Sequence, residues 1–262
     1  MSSDPCTWPR LKSGSSIRGE ETLLTDELAK KLGYAFAVWL AARLGTTPDR
    51  LTIAVGHDPR ASGPRLKAAM IDGFTAADSD VLDCGLSTTP AVFSTTLEEG
   101  PGADGAVMIT ASHLPPKING FKFHTREGGL RGEDVDAIIR AAMEARVPVR
   151  LVSPCDALSA YQASLRALVK RKLEDDASKP LLGLHVVVDA GNGSGGFYAS
   201  FLESLGAWVE GSQFLEPDGA FPNHAADPES PEAMRALSEA VVKNEADLGV
   251  LFDPTATVPP SS

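Results

Sequence analysis

Apolar residues recur at helical spacing from Leu28 through Leu32, Ala35, Phe36, Trp39 and Leu40. Thr25 stands ahead of them as an N-cap, with Asp26 and Glu27 in the first turn, and Gly45 follows as a stop. The spacing therefore predicts a helix between Thr25 and Gly45. Leu51–Val55 alternates apolar and small residues and predicts a strand, with Gly56–Arg60 as a loop off its end. Ser62 is placed to cap a helix over 64–77, Val81–Cys84 reads as a second strand, and Thr88-Thr89-Pro90-Ala91 begins a short helix. Ala106–Ile109 predicts a third strand, and a helix follows near 132–145. Ahead of all these, residues 10–20 (RLKSGSSIRGE) read as a polar, glycine-containing loop.

Periodicity lapses over 146–156, which carries two prolines, so a domain boundary is expected there, dividing the chain into 1–150 and 151–262. Asp156 caps an amphipathic helix running to 174, and a charged linker covers 174–180. The pattern then restarts: strand 184–189, glycine-rich loop 190–196, helix 197–205, strand 207–210, a proline-rich loop, helix 231–244 and strand 248–252. Ser230-Pro231-Glu232 is a helix start with proline in its first turn. Strands alternating with helices in both halves predict α/β architecture with parallel sheets covered by helices. Functional loops in such sheets leave the C-terminal ends of strands. His57–Arg60, Ser112 and Asp253 all sit just past predicted strands.

Composition narrows the function. A chain of 262 residues suits one large domain or two ordinary ones. A net charge of −11 argues against nucleic acid as the main partner. The most apolar run, 34–42, is flanked by Lys30, Lys31 and Arg43 and falls short of the roughly 18 residues of a membrane span, so it reads as a buried helix. Met1–Lys12 has neither signal-peptide nor transit-peptide character. The expectation is a soluble intracellular protein, cytoplasmic or plastid, with its oligomeric state open. Cys6, Cys84 and Cys155 form no CxxC pair and read as reduced thiols.

The densest chemistry lies in Gly105–His124, where two apolar runs flank a loop carrying Ser112 and His113, with Lys122 just beyond. Pro115-Pro116 and Asn119-Gly120 read as turn formers. Adjacent side chains in an extended loop point opposite ways, and no G-x-S-x-G elbow is present, so a Ser–His hydrolase pair is disfavoured. A phosphoserine fits better, with Lys122 and backbone donors around the phosphate. Arg18 and Arg60 lie on glycine-bounded segments and offer planar forks for phosphate oxygens. Gly191, Gly193 and Gly196 satisfy G-x-G-x-x-G, with Glu210 near the end of the next strand. This is either a dinucleotide fingerprint or a tight strand-to-helix turn. Asp253 ends a strand, but Pro254, Thr255, Ala256 and Thr257 follow, so the carboxylate cluster of a magnesium site is missing.

These blocks in order resemble the α-D-phosphohexomutase superfamily of phosphoglucomutase, phosphomannomutase and phosphoglucosamine mutase. They are G-S-S-I-R-G at 14–19, G-H-D-P-R-A-S-G at 56–63, T-T-P at 88–90, T-A-S-H-L-P-P-x-x-N-G-x-K at 110–122, V-V-D-A-G-N-G-S-G-G at 187–196, F-P-N-H-x-x-D-P-x-x-P at 221–231 and A-D-L-G-V-L-F-D at 246–253. Leu114, where most of the superfamily has asparagine, looks most like the plant and algal phosphoglucosamine mutase-like branch. The resemblance implies two consecutive three-layer α/β domains with mainly parallel mixed sheets. It implies an isomerase that moves phosphate between the 1- and 6-positions of a hexose phosphate through a sugar bisphosphate. Ser112 would carry the phosphoryl group, Arg18 and Lys122 would assist proton transfer and charge neutralisation, and His113 matches the serine's neighbour. Ser15, Arg60 and Asn119 would bind substrate or phosphate. Mg²⁺ would bind through the phosphate on Ser112 and through Asp253. The 191–196 stretch matches a structural turn in this family.

The chain also departs from the pattern. The family has four domains, and this sequence matches the first and most of the second. Its metal loop reads D-x-D-x-D-R, whereas here only Asp253 remains, with Thr255, Thr257 and Val258 at the other positions. Codons for a family-like D-P-D-G-D-R-S-A, read after loss of one G, give Asp-Pro-Thr-Ala-Thr-Val-Pro-Pro, the residues at 253–260. A frameshift and an inactive isolated chain are the corresponding expectations. Two other readings stay open: a non-catalytic sugar-phosphate-binding module, and a dinucleotide-binding oxidoreductase using Gly191–Gly196.

Overall fold

Thr25 caps α1 (Asp26–Leu44) as its position predicts, its side chain accepting from the Leu28 amide, and Gly45 closes the helix at φ 66°. A computed structural model describes residues 5–147, 153–173, 178–225 and 227–256. They fall into two compact units, one of Met1–Ala111 with Lys117–Ala157, the other of Ser112–Pro116 with Leu158–Ser262.

In the first unit the sheet runs in the order β1-β2-β6-β5-β3-β4-β8, with β7 paired to β6. The strands are β1 (Lys12–Ser13), β2 (Ser16–Glu20), β3 (Thr52–His57), β4 (Asp80–Leu86), β5 (Gly105–Ile109), β6 (Ile118–Thr125), β7 (Gly128–Gly129) and β8 (Ser153–Pro154). β3 pairs in parallel with β4 and β5, whereas β6 is antiparallel to both β5 and β2. β5 is buried on both faces. Val107 and Ile109 join the cluster under α1, α2 (Gly63–Ala76) and α4 (Gly132–Glu144), while Ala106 and Met108 join the one containing Val92 of α3 (Thr89–Ser94). Helices α1 and α2 meet closely at glycine: a Cβ on Gly73 would lie 2.0 Å from the Lys30 carbonyl oxygen. Thr88 caps α3, accepting from the Ala91 amide.

Three local expectations are corrected. The stretch 10–20 is not wholly loop, because β2 pairs along β6 with Ile17 opposite Phe121, both buried. One apolar residue among polar ones is too thin a pattern to announce a strand, and the partner strand supplies the rest. Asn119-Gly120 is no turn but lies inside β6. Glycine is needed there because a Cβ would sit 2.2 Å from the Ile17 carbonyl oxygen. Gly56 and His57 belong to β3, so the loop begins only at Asp58.

In the second unit, β9 (Val186–Asp189) and β10 (Leu248–Leu251) pair in parallel. Packed on them are α6 (Phe197–Ser204) and α7 (Pro231–Lys243), the latter capped by Ser230, while α5 (Ala157–Leu173) lies against α6. Val186 and Val188 pack with α6 residue Ala199, and Val187 packs with Leu237 and Ala240 of α7. The hydroxyls of Tyr161 and Tyr198 lie 3.1 Å apart and tie α5 to α6, and Tyr198 stacks on Phe252 at 4.5 Å between ring centroids. The expected strand 207–210 is reduced to one isolated bridge, Trp208 to His185, and a second bridge pairs Gln213 with Asp189 beyond it. Gly206 and Gly211, at φ 98° and 85°, turn the chain on either side of Trp208 and interrupt any longer ladder.

Cys84 and Cys155 are free thiols, and the side chain of Cys6 lies outside the described residues. The same holds for 174–177 of the expected linker and for Thr257 and Val258. Among the described residues, no helix is long and apolar enough to cross a membrane.

Candidate functional site

β5 ends at Ile109, and the chain leaves through Thr110 and Ala111 to Ser112, which is held at φ 57°. That left-handed conformation costs a non-glycine residue about 1 kcal/mol or more, so the surroundings must hold it. Ser112 is buried, and its Oγ donates to Asp253 Oδ2 at 2.9 Å, a contact within the second unit. Asp253 is also buried. Its Oδ1 accepts from the Thr255 amide at 3.1 Å, and the Thr255 hydroxyl lies 3.3 Å from the same oxygen. His113 is exposed beside the serine.

In the first unit, Arg18 lies opposite Gly120, and Lys122 lies opposite Ser16 and Met108. Directly opposed residues and alternate residues of an antiparallel pair share a face, so Arg18 and Lys122 project from the same side of the sheet. Both are partly buried. Desolvation, and then the charge of Arg60, lower the Arg18 pKa from its usual value. The Arg18 Nε is buried with no hydrogen-bond partner among the described residues. His124 follows two residues after Lys122 on that side; burial, then the Lys122 charge, lower it to about 4, so it is neutral at pH 7. Ser15 is exposed in the turn between β1 and β2.

Arg60 and Asn119, for which the resemblance implies phosphate contacts, have interior hydrogen-bond partners. Arg60 is wholly buried, donating from Nε to Asp58 Oδ2 at 2.9 Å and from Nη1 to the Ile118 carbonyl at 2.7 Å. Asn119, equally buried, donates from Nδ2 to Ser62 Oγ at 2.9 Å and accepts the Gly120 amide at Oδ1. This also explains why Ser62 makes no side-chain cap on α2. Asp58 and Thr110 are not among the site residues that the sequence suggests, and Thr255 enters there only as a departure from the metal loop. The available signal was spacing: Asp58 stands two residues before Arg60, as Asp253 does before Thr255.

The Mg²⁺ implied by the resemblance is not matched by this donor set. Magnesium takes near-octahedral oxygen ligands and is usually drawn by carboxylates. Here one carboxylate is present, and both its oxygens already accept hydrogen bonds from Ser112 and Thr255. Among the described residues, no group of three His, Cys, Asp or Glu side chains could hold a metal ion.

The glycine-rich stretch is committed to its own turn. Asp189 accepts from the Gly191 amide, from Gln213 Nε2 and from His224 Nε2 at 2.8 to 3.0 Å. A Cβ on Gly193 would lie 2.6 Å from Pro254 Cα, and one on Gly196 would lie 1.9 Å from the Leu215 carbonyl oxygen. These glycines admit neighbouring backbone, the tight-turn alternative to a dinucleotide site.

Residues 10–148 match the model of phosphoglucomutase/phosphomannomutase alpha/beta/alpha domain I, and residues 159–256 match that of domain II. A phosphoglucomutase from Neisseria gonorrhoeae is 35% identical over 235 residues, covering 88% of this chain and 47% of that protein. A phosphoglucosamine mutase from Rhodococcus erythropolis is 36% identical, covering 93% of this chain and 54% of that protein. A crystal structure of a phosphoglucomutase/phosphomannomutase family protein from Burkholderia thailandensis superposes with a TM-score of 0.74 at 31% identity, over 92% of this chain and 52% of that one. The chain thus spans about half the length of the curated relatives it matches. In sequence and in fold alike, it belongs to the phosphoglucomutase/phosphomannomutase family.

Proposed function

We propose that this chain carries the phosphoryl-accepting half of a hexose-phosphate mutase, with Ser112 as carrier. Residues 1–150 and 151–262 would be its two domains. One observation supports the reading above the others: a buried serine, held at φ 57°, donates its hydroxyl hydrogen to a buried carboxylate at 2.9 Å. When a hexose bisphosphate is the donor, Ser112 Oγ attacks phosphorus and the bond from phosphorus to the sugar oxygen breaks. The serine proton passes to Asp253 Oδ2, and the departing sugar oxygen takes up a proton from solvent. The proton gained by Asp253 also removes the like-charge repulsion between its carboxylate and the new phosphoserine. Arg18 and Lys122 supply positive charge and assist proton transfer, Ser15 and His113 contact phosphate or sugar, and the reverse transfer returns phosphate to the sugar's other end. Phosphoryl transfer depends mostly on positioning and electrostatics, which is what such groups offer. Family members generally use Mg²⁺; on this chain's own donors no step is assigned to it.

The test is to incubate the chain with ³²P-labelled glucose 1,6-bisphosphate and map the label by mass spectrometry. One phosphate on the Ser112 peptide, absent in Ser112→Ala, is the expected result. Saturable binding of a hexose phosphate with no transferred label would instead establish the non-catalytic sugar-phosphate module, which the hydroxyl of Thr255 beside Asp253 favours.

A further inference from the structure

Four side chains around the serine loop are wholly buried and polar: Asp58, Arg60, Thr110 and Asn119. They connect the five residues after β3 to both feet of the loop that carries Ser112. At the outgoing foot, the Asp58 amide donates to the Ile109 carbonyl at 3.1 Å, and Thr110 Oγ1 donates to Asp58 Oδ2 at 2.8 Å. At the returning foot, Arg60 Nη1 donates to the Ile118 carbonyl at 2.7 Å, and Asn119 Nδ2 donates to Ser62 Oγ at 2.9 Å. Between the feet, the Thr110 amide donates to the Gly120 carbonyl at 2.9 Å. All these residues lie in the first unit.

We propose that the Asp58–Arg60 pair is a brace that fixes both ends of the Ser112 loop, making Asp58, Arg60 and Thr110 positioning residues for phosphoryl transfer; in its catalytic part this rests on the function proposed above. Three features set the pair apart from ordinary core packing. A buried ion pair is seldom more stabilising than apolar residues of the same volume, so stability alone does not account for its place here. The guanidinium is planar, and its Nε and Nη1 address two different chain segments, which fixes the angle between the end of β3 and the start of β6; a lysine ammonium has no such geometry. Thr110 stands two residues before Ser112, so a shift at its hydroxyl passes through Ala111 alone to the nucleophile. Displacement of a reacting group by about 1 Å can cost on the order of a hundredfold in rate.

Thr110→Val removes the hydroxyl and keeps the shape. Its expected effect is about tenfold faster amide exchange across 111–117, with β3 and β5 unchanged, the size of one lost hydrogen bond. Labelling of Ser112 should slow by a similar factor at an unchanged half-saturating bisphosphate concentration, and Thr110→Ser should restore both. Faster exchange spread equally through β5 and the loop, or no change in the loop, overturns the brace. If Thr110→Val does not fold, Arg60→Lys, which keeps the charge and loses the fork, is put to the same comparison. If the native chain takes no label, the mutase reading falls, while loop exchange still decides the brace.

Discussion

Asp58 follows β3 and Asp253 follows β10, and each is succeeded by a proline and then by the residue that folds back onto it. The local turn is the same. Asp58 Oδ1 accepts the Arg60 amide at 3.1 Å, and Asp253 Oδ1 accepts the Thr255 amide at 3.1 Å. Even the other oxygens are alike, since Asp58 Oδ2 accepts the Thr110 hydroxyl and Asp253 Oδ2 accepts the Ser112 hydroxyl. The difference lies in the side chain two residues on. Arg60 returns a full positive charge to Asp58, whereas Thr255 returns only a hydroxyl to Asp253. A D-P-x turn at a strand end thus sets where a carboxylate points, and the third residue decides whether it folds a guanidinium or a hydroxyl back onto it.

The largest test of this contrast is Arg60→Met, which leaves Asp58 buried without a counter-charge and is expected to cost about 3–5 kcal/mol in urea unfolding at pH 7. Burial already holds the Asp58 carboxyl above its ordinary 3.8, with Arg60 pulling it back. Because the folded value is raised, the penalty is absent below 3.8 and develops as pH rises through the folded value. Loss of Arg60 raises that value further, so the deficit of Arg60→Met should shrink at pH 4. An equal deficit at both pH values would mean that the arginine serves by packing alone.

Next in size is Thr255→Asp, which places a second carboxylate in the position that Thr255 holds. In EDTA it should lower stability by about 1–3 kcal/mol, and millimolar Mg²⁺ should recover it by binding the folded state. The native chain should show no Mg²⁺-dependent shift; a clear one would mean that hydroxyls and one carboxylate suffice for a cation here. The smallest effect belongs to Thr255→Val, expected to lower stability by about 1 kcal/mol through the lost hydroxyl. A loss as large as that of Arg60→Met would erase the distinction between the two turns.

Much of the frame was legible along the chain because its causes are local. Thr25, Gly45, Thr88 and Ser230 act within a few residues of the helix ends they define, and the apolar periodicity of α1 states which face is buried. The strand ends carrying Ser112 and Asp253 were readable for the same reason. Where reading failed, the missing partner was distant. β2 has little apolar pattern and exists because β6 lies beside it, a hundred or so residues away. Asn119-Gly120 has the composition of a turn, yet the close approach of Ile17 makes it part of a strand.

The site divides in the same way. The sequence alone determined that a hydroxyl, a carboxylate and several cations would sit on loops and strands of an α/β frame, since composition and short spacing specify residue types and strand ends. Only the tertiary structure decided which of them are committed inward. Arg60 and Asn119, for which the resemblance implies phosphate contacts, hydrogen-bond to Asp58, Ile118 and Ser62, while Ser112 finds Asp253 across 141 residues of chain. Burial and hydrogen-bond partnership belong to the assembled chain, because each depends on groups that no local window contains.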